Sequence, residues 1–258
     1  MLERLERLMI SFRGVHKSFG PKHVLRGMDL DIPDGQTTVL LGFSGTGKSV
    51  SLKLIAGLLV PDQGTVTVDD QVVSELDPDG LVALRAHIGY VFQFAALFDS
   101  MTVEENIRLG LVRRGLGEDE MAERVRESLR LVDLPGTEAR YPAELSGGMR
   151  KRVGIARAIA LRPRYILYDE PTTGLDPVTS AVIDQLMART ARELGVTSVV
   201  VTHDMRSAYT VGDRIAMLYE GRIRQVGTVA EIQATDDPVV RQFIEGRPDE
   251  APAEVAGT

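Results

Sequence analysis

Cysteine and tryptophan are both absent from the 258 residues, and histidine occurs four times. Without cysteine there can be no disulfide framework and no thiolate metal site, which agrees with a reducing cytoplasm. Four histidines leave little material for a metal cluster. Positive charge is not in excess either: 30 Lys and Arg stand against 37 Asp and Glu, a formal net charge of -7. No overall basic field therefore draws the chain to nucleic acid or anionic lipid, and no nucleic-acid partner is expected. No run approaches the roughly 18 apolar residues that mark a bilayer-spanning helix. The start, MLERLERLMI, is charged rather than an apolar leader, so the expectation is a subunit that does not itself span a membrane. Leu2, Leu5 and Met9 are spaced to share a helix face, but a short terminal pattern of this kind carries no function.

With 43% hydrophobic residues, the chain can bury one large core. Short alternating runs such as Met28 to Ile32, set among turn residues between Met9 and Ile32, predict antiparallel strands. Thr37 to Leu41 reads as the first fully buried strand. A Gly-rich segment follows, then a helix carrying Leu52, Leu54, Ile55, Leu58 and Leu59 that ends by Pro61 and Gly64. Thr65 to Val68 and Ile88 to Phe92 are further strands. From Gln93 to Ala160 helical patterns take over, including Met121 to Val132 with Val125, Leu129 and Val132 on one face. The buried strands resume at Tyr165 to Tyr168 and Val196 to Val201, with a helix from Pro177 to Leu194 as the crossover between them. The sum is a wound α/β fold with a helical insertion. Gly246 onward is rich in Pro, Ala, Gly and acid and reads as a disordered tail.

Gly42-Phe43-Ser44-Gly45-Thr46-Gly47-Lys48-Ser49 fills every fixed position of the phosphate-loop pattern, with a strand before it and a helix after it. The glycines let consecutive backbone N–H groups turn inward, and the helix directs its positive dipole end at the same point. Lys48 is then placed for β and γ phosphates and the Ser49 hydroxyl for Mg²⁺, so ATP and Mg²⁺ are the expected cofactors. Val50 stands where many phosphate loops carry a second hydroxyl residue near the α phosphate. The apolar strand Tyr165 to Tyr168 ends in Asp169 and Glu170, at the sheet edge where wound α/β folds collect their ligands. Asp169 suits a direct or water-mediated contact to Mg²⁺, and Glu170 suits polarising the water that attacks the γ phosphate.

Leu145-Ser146-Gly147-Gly148-Met149, running into Arg150-Lys151-Arg152-Val153, resembles the signature motif of ABC ATPases and lies between the two nucleotide motifs as in that family. Physically, a Ser and two glycines opening a helix offer a hydroxyl and unshielded N–H groups to an anion. The resemblance implies a P-loop ABC-type nucleotide-binding domain with an antiparallel β subdomain at the N-terminal end and an inserted helical subdomain. Its implied limits are 9–246, with core 9–92 and 161–232, helical part 93–160, C-terminal helix 236–246 and tail 247–258. It also implies residue roles. Phe19 stacks on adenine, and Gln93 links the γ phosphate and metal site to the helical part. Asp176, in Gly174-Leu175-Asp176, belongs to a dimer-contact loop, and His203 is a switch histidine at the γ phosphate. Ser146, Gly147 and Gly148 complete the site of a second copy, so that two ATP molecules are enclosed between two chains.

The same resemblance implies membrane-spanning permease subunits as partners, with the chain held peripherally on the cytoplasmic face of the inner membrane. Phe92 to Val103, Met149 where the signature more commonly has Gln, and Asp237 to Gly246 resemble the ATPases of lipid transporters of the maintenance-of-lipid-asymmetry type. These work with MCE-domain proteins and small accessory subunits. Phe94, Leu97, Phe98 and Met101 form an apolar stretch where the permease should dock. The alternatives are a polar amino-acid or other solute importer and a soluble ABC scaffold or assembly ATPase.

Overall fold

A computed structural model describes residues 8–247. The spacing of Leu2 and Leu5 and the tail from residue 248 on lie outside the described residues. The chain opens with β1 (Leu8–Phe19) and β2 (Lys22–Pro33), then the short, wholly buried β3 (Thr37–Leu41) and α1 (Lys48–Ile55). Next come β4 (Gln63–Val68), β5 (Gln71–Val72), α2 (Pro78–Ala86) and β6 (Ile88–Val91). Three helices follow without an intervening strand: α3 (Val103–Val112), α4 (Glu118–Leu131) and α5 (Gly147–Ile159). The remainder alternates: β7 (Tyr165–Asp169), α6 (Pro177–Leu194), β8 (Thr197–Thr202), α7 (Met205–Val211), β9 (Arg214–Tyr219), β10 (Arg222–Thr228), α8 (Val229–Gln233) and α9 (Pro238–Ile244).

Two sheets result. The first is antiparallel in the order β2-β1-β4-β5; the second runs β10-β9-β3-β8-β7-β6, parallel except for the β9–β10 hairpin. Every residue of β3 and of β7 is buried, because apolar clusters cover both faces of the parallel sheet. Val39, Leu41, Ile166 and Tyr168 enter one cluster with the helices, whereas Leu40, Tyr165 and Leu167 enter the other with β1 and β2. Each such buried Leu or Ile contributes about 1.5–3 kcal/mol. Among the described residues, no helix is long and apolar enough to cross a membrane.

Local chemistry explains the element ends that matter below. Asp176 caps α6 by accepting from the N–H groups of Val178 and Thr179, both at 3.0 Å, with Pro177 at the first helical position. Ser146 caps α5 by accepting from Met149 N at 3.2 Å. α1 is shorter than the Leu spacing predicts: it stops at Ile55, and Gly57 takes φ 63°. The left-handed turn favours glycine there, and a Cβ on Gly57 would also press on Leu81 Cδ2 of α2 at 2.6 Å. Leu58 is consequently left half-exposed instead of on the helix face.

A buried carboxylate joins α6 to α7. Asp184 is 4% exposed, and its Oδ2 accepts from Ser207 Oγ at 2.9 Å while Oδ1 has no hydrogen-bond partner. Burial pushes its pKa up to about 6; the Ser207 bond opposes the rise and Asp204 adds to it. The native state thus holds the proton more tightly than the unfolded chain, and stability falls as pH rises through the window from about 4 to about 6. Asp184→Asn, which keeps the shape and an acceptor, should stabilise the protein above that window by on the order of 3 kcal/mol. The check is thermal unfolding at two pH values: Tm should rise by several degrees at pH 8 and hardly change at pH 4. A gain equal at both would disprove the ionisation account.

Candidate functional site

The carboxyl ends of β3, β7 and β8 meet at a cleft of about 520 Å³. Ser44, Gly45 and Gly47 line it from the loop after β3, and Lys48, Ser49 and Val50 from the first turn of α1. Glu170 and His203 line it from the ends of β7 and β8, and Phe19 and Gln93 from the ends of β1 and β6. The parallel register of β7 with β8, Asp169 opposite Val201, places the residues just past both strands side by side. His203 Nδ1 donates to Glu170 Oε2 at 2.8 Å, and Thr173 Oγ1 donates to the same oxygen at 3.2 Å. Glu170 sits at φ 49°, a left-handed conformation that costs a non-glycine residue about 1–3 kcal/mol. Its backbone is pinned there by its own N–H to Val201 O at 2.9 Å and by Thr173 N to Glu170 O at 3.2 Å.

The loop wraps its own lysine. Lys48 Nζ donates to Gly42 O at 2.8 Å and Phe43 O at 3.0 Å, and lies 3.6 Å from Glu170 Oε1. Burial lowers its pKa, and the carboxylates of Glu170 and Asp169 oppose that fall. Gly42 and Gly47 are required by close approach. A Cβ on Gly42 would meet Leu218 O at 2.4 Å, and one on Gly47, at φ 106°, would meet Val24 Cγ1 at 2.7 Å. Gly47 opens α1 with no side-chain cap, so the first N–H groups of the helix have no side-chain acceptor at the N-cap. A buried cation beside an uncapped helix start is suited to an anion of several charges.

Ser49 Oγ donates to Asp169 Oδ1 at 2.6 Å, and Tyr90 OH donates to Asp169 Oδ2 at 3.3 Å. Burial first, and then the Asp169 charge, raise the Tyr90 pKa, so the phenol stays a donor. A hydroxyl and a carboxylate in contact fit Mg²⁺, which takes few protein ligands and fills its sphere with water and phosphate oxygens.

Not every sequence-predicted residue faces the cleft. Thr46 turns back to donate from Oγ1 to Phe43 O at 2.9 Å. Ser146, Gly147 and Gly148 at the start of α5, and Asp176 at the start of α6, are not among its lining residues. Phe19 is 47% exposed, so it is not the core aromatic that a strand position would suggest. Phe94 and Phe98 are 82% and 55% exposed, whereas Leu97 packs on the helical core and Ala95 is buried. Lys151 Nζ donates to Gln93 O. Arg157 donates to Ala95 O and Ala96 O, both at 2.7 Å, so α5 grips the segment after β6. Lys22, Val24 and Thr173 also line the cleft and were not singled out from the sequence; no motif marks Lys22 or Val24. Thr173 stands three residues after Glu170, close enough in sequence for its hydroxyl to reach that carboxylate.

A family model described as ABC transporter matches residues 25–173, which include the phosphate loop, Gln93, the Ser146 segment and both acids. The probable ribonucleotide transport ATP-binding protein mkl of Mycobacterium leprae (strain TN) is 42% identical over 239 residues, covering 92% of this chain and 69% of that protein. Protein TRIGALACTOSYLDIACYLGLYCEROL 3, chloroplastic, of Arabidopsis thaliana is 39% identical over 270 residues, covering 95% of this chain and 76% of that protein. Among solved structures, the dimeric post-hydrolysis state of the ATP-binding cassette MJ0796 bound to ADP and Pi superposes with a TM-score of 0.78 at 35% identity. It covers 86% of this chain and 99% of that one.

Proposed function

Because the chain belongs to the ABC transporter family and is one of its ATP-hydrolysing subunits, we propose that it drives a permease for phospholipid-like molecules, two copies enclosing two ATP molecules. The observation that carries the chemistry is the meeting of Lys48, Glu170 and His203 in one cleft below an uncapped helix start. In this reading Lys48 exchanges backbone carbonyls for the β and γ phosphates, and Phe19 covers the adenine. Ser49, Asp169 and Gln93 would hold Mg²⁺, directly or through water. When bound, that ion neutralises phosphate charge and aligns the γ group. Glu170, held against His203 and Thr173, takes the proton of the attacking water, and His203 is left facing the departing phosphate. Ser146, Gly147, Gly148 and Asp176 lie away from their own cleft, which supports a role opposite the cleft of a second copy.

For the cargo, the support is narrower. Phe94 and Phe98 stand exposed beside Gln93, an apolar surface suited to a helix of a membrane subunit. One relative takes its name from a galactolipid, and Asp237 to Gly246 resembles the lipid branch. The second reading, a carrier of polar solute, is favoured by the ribonucleotide in the name of the mycobacterial relative. The permease places the subunit at the cytoplasmic face of the inner membrane, with an MCE-domain protein and small accessory subunits as further partners. Isolation of the tagged chain from detergent-solubilised membranes, followed by mass spectrometry, decides between the two. An MCE-domain protein beside the permease is the expected result, and a periplasmic solute-binding protein in its place would overturn the lipid reading.

A further inference from the structure

Phe43 is the second residue of the phosphate loop, yet its ring is absent from the lining of the nucleotide cleft. It packs instead edge-to-face with Phe243, ring centroids 4.8 Å apart and planes at 90°, and against Tyr219 at 6.2 Å and 62°. Tyr219 ends β9 and Phe243 belongs to α9, so the loop is braced from behind by two elements remote in sequence. The backbone of Phe43 meanwhile faces the site: its carbonyl accepts from Lys48 Nζ at 3.0 Å and from Thr46 Oγ1 at 2.9 Å. One residue thus joins the outer brace to the inner path of the loop.

The brace has its own foundations. Asp237 caps α9 by accepting from Val239 N at 3.0 Å and Val240 N at 3.2 Å, and it pairs with Arg224 of β10 at 2.8 Å. Val240 is fully buried in the helical core cluster, and Arg241 Nη1 donates to Thr235 O at 3.3 Å. α9 would therefore stay docked without Phe243, and what Phe243 adds is contact with the phosphate loop. An edge-to-face pair is directional as well as apolar, so it fixes ring position more tightly than burial alone.

We propose that α9 is a positioning element of the nucleotide site: Phe243 holds Phe43, and through it Lys48 and Thr46, in the path that receives phosphates. The inference rests on nucleotide binding at this loop, and the experiment separates the two. The full chain is titrated with N-methylanthraniloyl-ADP and Mg²⁺, as wild type, Phe243→Ala, Phe243→Leu, Phe43→Ala and the Phe43→Ala/Phe243→Ala double variant. Failure of the wild type to bind would sink the nucleotide reading itself.

With wild-type binding in hand, Phe243→Ala should raise Kd by roughly three- to tenfold. Phe243→Leu, which keeps bulk but no ring, should fall between. The double variant should bind no worse than Phe43→Ala alone, because the second change removes a contact already gone. A loss of Tm with Kd unchanged, or Kd penalties that multiply in the double variant, would make α9 a mere structural support and overturn the proposal. Should Phe243→Ala not fold, an unchanged Kd for Phe243→Leu overturns it equally.

Discussion

Glu170→Gln is expected to lose steady-state ATP hydrolysis by about 10²- to 10⁴-fold while ATP binding persists. The amide preserves the volume of the carboxylate and an oxygen for Thr173 Oγ1 and His203 Nδ1. It cannot take a proton from water, so the chemical step loses its base and binding does not. Lys48 loses a carboxylate neighbour at 3.6 Å, which leaves its charge freer to engage phosphate. The variant should therefore accumulate ATP-bound dimer. Phosphate release and retention of ATP on size-exclusion chromatography read the two halves separately. Hydrolysis within a few-fold of wild type would remove Glu170 from the role of base.

Lys48→Ala acts earlier, on binding. Lys48 is 5% exposed and already desolvated, with Nζ offered two backbone carbonyls that it can exchange for phosphate oxygens. A hydrogen bond to a charged group contributes about 1.5–3 kcal/mol, so the loss of even one such bond corresponds to roughly 10- to 150-fold in Kd for ATP, and the loss of both to more. The same change leaves Glu170 without its cation, which raises the cost of bringing phosphates near it. Equilibrium titration with ATP and Mg²⁺ measures the outcome, and an affinity equal to that of wild type would contradict the placement of Lys48 at the phosphates. The two variants part on one axis: Glu170→Gln keeps nucleotide and loses turnover, whereas Lys48→Ala loses both.

What could be read beforehand follows from how locally each feature is encoded. The phosphate loop is one unbroken octapeptide, so its strand, turn and helix were legible from their own residues. β3, β7 and β8 are buried on both faces and so appear as unbroken apolar runs, with bounds within a residue or so of those expected. α6 spans Pro177–Leu194 as expected, and the structure shows it bounded by Asp176 and Pro177 at one end and Gly195 at the other. α2 and the β9–β10 hairpin are not among the expected elements, although Asp77-Pro78 and Glu220-Gly221 are ordinary cap and turn signals. The bond between His203 and Glu170 was not legible at all. Thirty-three residues separate them, and only the pairing of β7 with β8 brings them together. The same holds for Phe43 and Phe243, 200 residues apart in the chain and joined only by the packing of α9 behind the phosphate loop.

The grip of α5 on the segment after β6 has a mechanical consequence. Lys151 and Arg157 hold that segment at Gln93 and at Ala95 and Ala96, with the two anchors six residues, about 9 Å, apart along the helix. A strap pinned once can swivel about its pin; a strap pinned twice cannot turn unless a pin gives way. Ala95 and Ala96, both in left-handed conformations at φ 59° and 47°, leave it little slack. Gln93 and Ser146, at the head of α5, are thus tied to one helix, and a displacement of Gln93 would pull on that helix.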